Sequence, residues 1–174
     1  MIPFPIDINR FHSATVTFSA DWNTPYDQGG LILFIPGEDP TPWLKTGIEF
    51  YGEKPFGMSV ATNQWSDAAQ VPLEKGKDSK MTIRVERQVN GGERMDSLRV
   101  CIVDETGNKE GIRQVTWWFA RGGFEQISSK GYLLIGVYAA RPSVPEGEGR
   151  EHEELVVKFE DFKVELFDPL KVQT

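Results

Sequence analysis

An all-β fold of antiparallel sheets packed face to face is what this sequence predicts, and three observations predict it. Apolar and polar residues alternate with period two through most of the chain. Clusters of Gly, Pro, Asn and Asp interrupt that alternation at short intervals. No segment carries a long, clean apolar stripe of period 3.6. Many short strands with one apolar and one mixed face make a sandwich or a barrel rather than a helical bundle.

The elements follow in order. Ala14, Val16 and Phe18 alternate with Thr15 and Thr17. Tyr26-Asp27-Gln28-Gly29-Gly30-Leu31-Ile32-Leu33-Phe34 sets turn chemistry and two glycines directly before an apolar strand. Leu44, Ile48 and Phe50 alternate with Lys45, Gly47 and Glu49, and Ser59 to Asp67 follows. Met81, Ile83 and Val85, then Leu98, Val100 and Ile102, then Ile135, Val137 and Ala139 repeat the pattern, and Phe162, Val164 and Leu166 close it. Reversals fall at Pro36–Pro40, Tyr51–Pro55, Asn90-Gly91-Gly92 and Thr106-Gly107-Asn108. Phe124 to Ser129 reads as a short helical turn, and Arg141 to Glu153, rich in Pro, Gly and Glu, as a solvated loop. There is no internal repeat or linker, so residues 1–174 read as a single domain.

Composition excludes several functions. With 39% hydrophobic and 26% charged residues the chain builds an ordinary core. A net charge of -7 opposes nucleic-acid binding and adhesion to an anionic membrane. No apolar run reaches membrane-spanning length and no signal peptide is evident. Cys101 is the sole cysteine, which rules out an intrachain disulfide and makes the cytosol the default location.

The runs at Tyr26–Phe34, Trp43–Phe50 and Ser59–Asp67 resemble the domain-of-unknown-function 1349 family. So do Gln114–Phe119, Gly136–Pro142 and Phe159–Glu165. The resemblance runs from about Phe11 to Leu166 and implies a two-sheet concanavalin A-like jelly roll with one concave face. It is a fungal-looking family related to a yeast protein named for regulation of enolase. It brings no catalytic residues to carry over. Family members usually carry a tryptophan-containing segment before the first matching strand. Here an edge strand is missing, replaced by Ile2 to Ile8, or supplied by a second copy in a homodimer.

Strand alternation nominates a site. If Leu44, Ile48 and Phe50 point inward, Trp43, Lys45, Gly47 and Glu49 share the opposite face. The same logic groups Ser59, Ala61 and Asn63, and separately Gly136, Tyr138 and Ala140. Small Gly47, Ala61 and Gly136 leave room for a ligand, and Lys45, Glu49, Asn63 and Tyr138 supply polar contacts. Gln28 joins them from the neighbouring strand. Adjacent Trp117 and Trp118 must face opposite sides of a strand, and Trp65 and Trp118 are the tryptophans best suited to stacking on a ligand. The expected ligand-binding set is Gln28, Lys45, Glu49, Asn63, Trp65, Trp118 and Tyr138. The competing reading is a solvated sheet face carrying a Lys45–Glu49 pair.

Other chemistries lack residues. Glucanases of the resembled fold carry Glu-x-Asp-x-Glu or Glu-x-Asp-x-x-Glu on one strand, and Glu160–Glu165 lacks that spacing. His12 and His152 are the only histidines, so no metal site and no cofactor are expected, and the acidic run Glu146–Glu154 reads as a solvated loop. Cys101 sits mid-strand as a packing residue, and the Gly91-Gly92 and Gly122-Gly123 pairs lack the helix a phosphate cradle requires. Three functions remain. The first is a lectin-like module binding a small molecule or glycan on the concave face. The second is a cofactor-independent enzyme of secondary metabolism, an isomerase, cyclase or cycloaddition catalyst using the same groove. The third is a regulatory protein-interaction module.

Overall fold

The computed structural model describes residues 4–36, 41–73, 79–120, 131–147, 149–150 and 152–168. Every regular element among them is a strand. In chain order these are β1 (Phe4–Asp7), β2 (Phe11–Ser19), β3 (Gln28–Phe34), β4 (Trp43–Tyr51), β5 (Lys54–Thr62) and β6 (Ser66–Pro72). Then follow β7 (Lys80–Asn90), β8 (Glu93–Val103), β9 (Lys109–Val115), β10 (Tyr132–Ala140) and β11 (Lys158–Leu166). They form two antiparallel sheets, one of six strands ordered β1-β10-β3-β4-β5-β6 and one of five ordered β11-β2-β7-β8-β9.

Alternation explains the layers. Leu44, Thr46 and Ile48 of β4 and Leu31 and Leu33 of β3 turn inward. They meet Ala14, Val16 and Phe18 of β2 and Ile83 and Val85 of β7 in one buried cluster. The polar exception, Thr46, donates its hydroxyl to the Met58 carbonyl at 3.0 Å, which makes its burial tolerable.

Register is set by tight turns. Gly52 and Glu53 both have positive φ, 56° and 64°, the geometry of a two-residue hairpin turn, and Tyr51 then pairs with Lys54. That turn fixes Leu44 opposite Ala61 and Lys45 opposite Val60. Gly30 and Gly47 sit opposite each other in β3 and β4. A methyl at Gly47 would lie 2.0 Å from the Gly29 carbonyl oxygen, and one at Gly30 would lie 2.1 Å from that of Thr46. The two backbones therefore approach too closely for any side chain at this crossing.

The segment before β2 supplies the edge strand: β1 pairs with β10, Phe4 opposite Ile135 and Asp7 opposite Tyr132. Two different contacts join the sheets along their sides. Arg113 of β9 donates to the Ser59 and Asp67 carbonyls of the other sheet, both at 2.9 Å, and to the Asp67 carboxylate at 2.6 Å. On the other side the rings of Phe4 and Phe162 stack with centroids 6.1 Å apart.

The outer face of the five-stranded sheet carries an ion network. Arg84 reaches Glu86 at 2.7 Å and Glu165 at 2.8 Å, and buried Ser13 donates to Glu165 at 2.7 Å. Cys101 is buried within β8, as a packing residue should be, and burial pushes its thiol up. The turn at Thr106–Asn108 is held by Asp104, whose carboxylate accepts from Thr106 and Asn108 and is lowered to about 2 by those bonds. The expected helical turn at Phe124–Ser129 lies outside the described residues.

Candidate functional site

Four strands of the six-stranded sheet, β10, β3, β4 and β5, build the candidate site on their outer face. Pairing arranges their outward residues as a lattice. One row runs Ala140, Gln28, Glu49, Phe56, and the next runs Tyr138, Gly30, Gly47, Met58. The third runs Gly136, Ile32, Lys45, Val60, and the last Leu134, Phe34, Trp43, Thr62. Rows along a strand are about 6.7 Å apart and neighbouring strands about 4.8 Å, so the lattice spans roughly 20 Å by 15 Å.

This face is drier than an ordinary solvated sheet. Met58 is buried although it points outward, and the side chains of Lys45 and Glu49 are only 23% and 14% exposed. Lys45 Nζ donates to Gln28 Oε1 at 2.6 Å and stands 4.0 Å from Glu49 Oε2. Gln28 Nε2 in turn donates to the Tyr26 carbonyl at 3.3 Å. Tyr138, half-buried, lies diagonally across β3 from Glu49, with glycine between them in its own row. Burial and then the Glu49 carboxylate raise its phenol well above the usual tyrosine value. Tyr138 is thus a neutral hydrogen-bond donor at any physiological pH.

A second cluster anchors the end of this face. Asp27 is fully buried, and Arg141 at the end of β10 clamps it with Nε–Oδ1 and Nη2–Oδ2 both 2.7 Å. The backbone N–H groups of Asn23 and Thr24 donate to Asp27 Oδ2 at 3.2 and 3.1 Å. Hydrogen bonding to Asp27 raises the already high Arg141 pKa further, so the guanidinium stays charged. The clamp holds the turn before β3, where Tyr26 takes φ 68°, a region sparsely populated by residues other than glycine. Tyr26 N–H donates to the Phe50 carbonyl at 2.7 Å, and the Tyr26 and Tyr51 rings pair at 5.9 Å, inclined by 39°.

The nominated residues divide accordingly. Gln28, Lys45, Glu49 and Tyr138 come together. Asn63 and Trp65 sit instead in the β5–β6 hairpin turn at the Trp43 end of the lattice, with Asn63 half-buried and Trp65 86% exposed. Trp118 is not on this face: β9 ends at Val115, the indole is fully buried in the core, and its Nε1 is without a hydrogen-bond partner among the described residues. Trp117 lies beside it with ring centroids 5.5 Å apart, so the pair does not straddle a strand. Ser59 and Ala61 also face the core, the reverse of the expected side, because the hairpin register forces them opposite inward Thr46 and Leu44. Gly47 is required by backbone approach rather than by room for a ligand. Sequence reasoning missed Arg141, Tyr26 and Tyr51. The Tyr26-Asp27 dipeptide before the Gly29-Gly30 pair was the one signal within reach, and Arg141 gives none because its partner is 114 residues away.

An open cleft of about 450 Å³ lies beyond the end of β10, lined by Ala140, Arg141, Val144, Pro145, Glu153 and Leu155. It touches the lattice only at Ala140. Its arginine is committed to Asp27, so the sheet face is the better candidate for ligand chemistry. No group of three or more His, Cys, Asp or Glu suited to a metal occurs among the described residues. Nor is any helix among them long and apolar enough to cross a membrane.

A two-sheet antiparallel sandwich with a part-buried polar cluster on one outer face is the class of protein these features define. The chain belongs to the DUF1349 family, described as proteins of unknown function, whose model matches residues 4–166. It is 38% identical over 164 residues to an uncharacterized protein, AN7484, of Emericella nidulans, covering 94% of this chain and 72% of that one. Among solved structures it is similar to a functionally unknown protein from Saccharomyces cerevisiae (TM-score 0.69, 21% identity, covering 98% of this chain and 75% of that chain). It is also similar to the GH43 protein BlXynB from Bacillus licheniformis (TM-score 0.63, 13% identity), covering 91% of this chain and 28% of that one. At these identities both structures speak to the fold.

Proposed function

We propose that this protein is a lectin-like binding module that holds a glycan or another small molecule on the outer face of its six-stranded sheet. The observation that carries the reading is the part-buried Gln28–Lys45–Glu49 chain set among Met58, Val60, Ile32 and Trp43, with Tyr138 as a neutral donor. A few polar groups left this dry among apolar side chains match the composition of a ligand site. The fold likeness to a carbohydrate-active protein is compatible with it, and we take the sandwich to be a concanavalin A-like jelly roll whose ligand face is concave. A cytosolic setting fits the single buried cysteine.

Thermal shift against a panel of soluble oligosaccharides and small metabolites tests the proposal. At 100 times Kd a ligand adds about 2.7 kcal/mol, which is about 5 to 10 °C in a domain of this size. The shift should vanish in Glu49→Gln and Tyr138→Phe. Binding that survives both substitutions would refute the site.

The second reading is a cofactor-independent enzyme on the same face, favoured by Tyr138 specifically. A phenol kept protonated beside a carboxylate is a fixed donor for developing negative charge. It predicts product formation from a bound ligand that stops in Tyr138→Phe while binding persists.

A further inference from the structure

The exposed Tyr26–Tyr51 pair lies at the end of the same lattice. Tyr51 continues the outward series Lys45, Gly47, Glu49, and Tyr26, in the turn before β3, is brought beside it by its N–H bond to the Phe50 carbonyl and by the ring contact. The rings are 44% and 49% exposed, so core packing does not account for them. Tyr26 holds its place in a conformation that glycine or asparagine adopts more readily, and a strained residue at an exposed ring points to use of that ring. The strain is held by buried Asp27 next to it, clamped by Arg141.

We propose that Tyr26 and Tyr51 form a stacking platform for one pyranose ring of an uncharged carbohydrate, whose hydroxyls reach Gln28 and Glu49 in the next row. The ring geometry selects this occupant. Two exposed phenols inclined by 39° at 5.9 Å present non-coplanar aromatic surface and hydroxyls together, which suits a puckered saccharide ring with C–H groups on its face better than a flat aromatic ligand. The charges select it too. Glu49 of the next row is offset by Lys45 at 4.0 Å, and Lys54, paired with Tyr51, stands over the Phe56 ring at 5.0 Å, so the surroundings of the platform offer donors and acceptors without a cluster of one sign. The next row is about 6.7 Å away, within reach of the substituents of a single sugar ring. This inference rests on the proposed binding role of the sheet face and names its ligand class and a subsite outside the nominated residues.

The test uses the full chain, an array of neutral gluco-, xylo-, manno- and galacto-oligosaccharides with uronic-acid counterparts, and calorimetric titration of each sugar retained. Tyr51→Ala and Tyr26→Gly should each weaken binding about two- to tenfold, the scale of a lost stacking contact. Tyr26→Gly should leave Tm within about 3 °C of the parent, because glycine accepts the positive φ. Such a result separates stacking from scaffolding. Acidic sugars should bind no better than neutral ones. Retained affinity in both tyrosine variants, with loss in Glu49→Gln, would overturn the platform and leave the binding face standing. A preference for acidic sugars would also overturn the platform. No sugar retained by the parent would overturn the platform, and no stabilising ligand in the thermal-shift panel of oligosaccharides and metabolites would overturn the binding face as well.

Discussion

Removing the Arg141 side chain tests the anchor that orders the front of β3. Arg141→Met keeps the length and apolar stem but deletes two charge-assisted hydrogen bonds of 2.7 Å to Asp27. It also deletes the contacts to Asn23 Oδ1 and the Glu153 carbonyl, both 3.1 Å. Asp27 stays fully buried, now with only the Asn23 and Thr24 N–H groups at 3.2 and 3.1 Å. Breaking a buried pair from one side costs about 3–5 kcal/mol, chiefly because the remaining charge is uncompensated. The two surviving backbone donors place this case near the lower end, about 3 kcal/mol, or about 6–12 °C in Tm. Urea denaturation at neutral pH measures it directly. The double variant Asp27→Asn/Arg141→Met keeps an acceptor for both N–H groups and removes the stranded charge, so it should recover a good part of the loss. A single-variant cost below about 1 kcal/mol, or a double variant no more stable than the single, would refute the account of the anchor.

Three further outcomes are expected. Glu165 is held well below the ordinary carboxylate value of 4.5 by hydrogen bonds from Lys163, Ser13 and Arg84. A lowered folded pKa means its stabilisation is complete above pH 4.5 and drains away as pH falls below it, so Glu165→Gln should lower Tm at neutral and alkaline pH, converge on the parent in acid, and so flatten the acid limb of a Tm–pH profile. Gly47→Ala should cost roughly 3 kcal/mol or more in chemical denaturation, since its methyl meets main chain that cannot rotate aside. The Cys101 thiol should resist a disulfide reagent in native buffer and react at the rate of unfolding, because it is fully buried and its pKa is raised by burial.

Much of the fold was legible where apolar size and apolar period agreed. In β4 Leu44 and Ile48, and in β10 Ile135 and Val137, fall on one parity, and the structure turns that parity inward. β5 misled because its larger residues, Met58 and Val60, point outward while Ser59 and Ala61 face the core. The chemistry of the strand argued for one face and the turn imposed the other. Taking Gly52-Glu53 as a two-residue loop would have given Leu44 opposite Ala61 by counting alone. The site was legible as far as one strand and its neighbour, hence Lys45, Glu49, Gln28 and Tyr138. Trp118 was misplaced because period-two logic was extended past the last residue of β9. The Asp27–Arg141 pair joins two stretches that the sequence showed separately, and no local pattern announces a contact across 114 positions.

The pairing of β2 with β11 bears on how this chain is made. Ser13 and Glu165 meet across 152 positions of sequence, whereas β3, β4, β5 and β6 are successive neighbours joined in order. On a ribosome the β3–β6 meander has its partners soon after it emerges. β2 must wait until the chain has grown from Ser19 to Lys158 before β11 arrives, and until then Arg84 lacks one of its two carboxylates. Slow closure of such a distant contact follows from loop entropy. The final sealing of the five-stranded sheet is therefore a late event, and nascent chains stalled before Lys158 should be markedly more protease-sensitive in β2 than in β4.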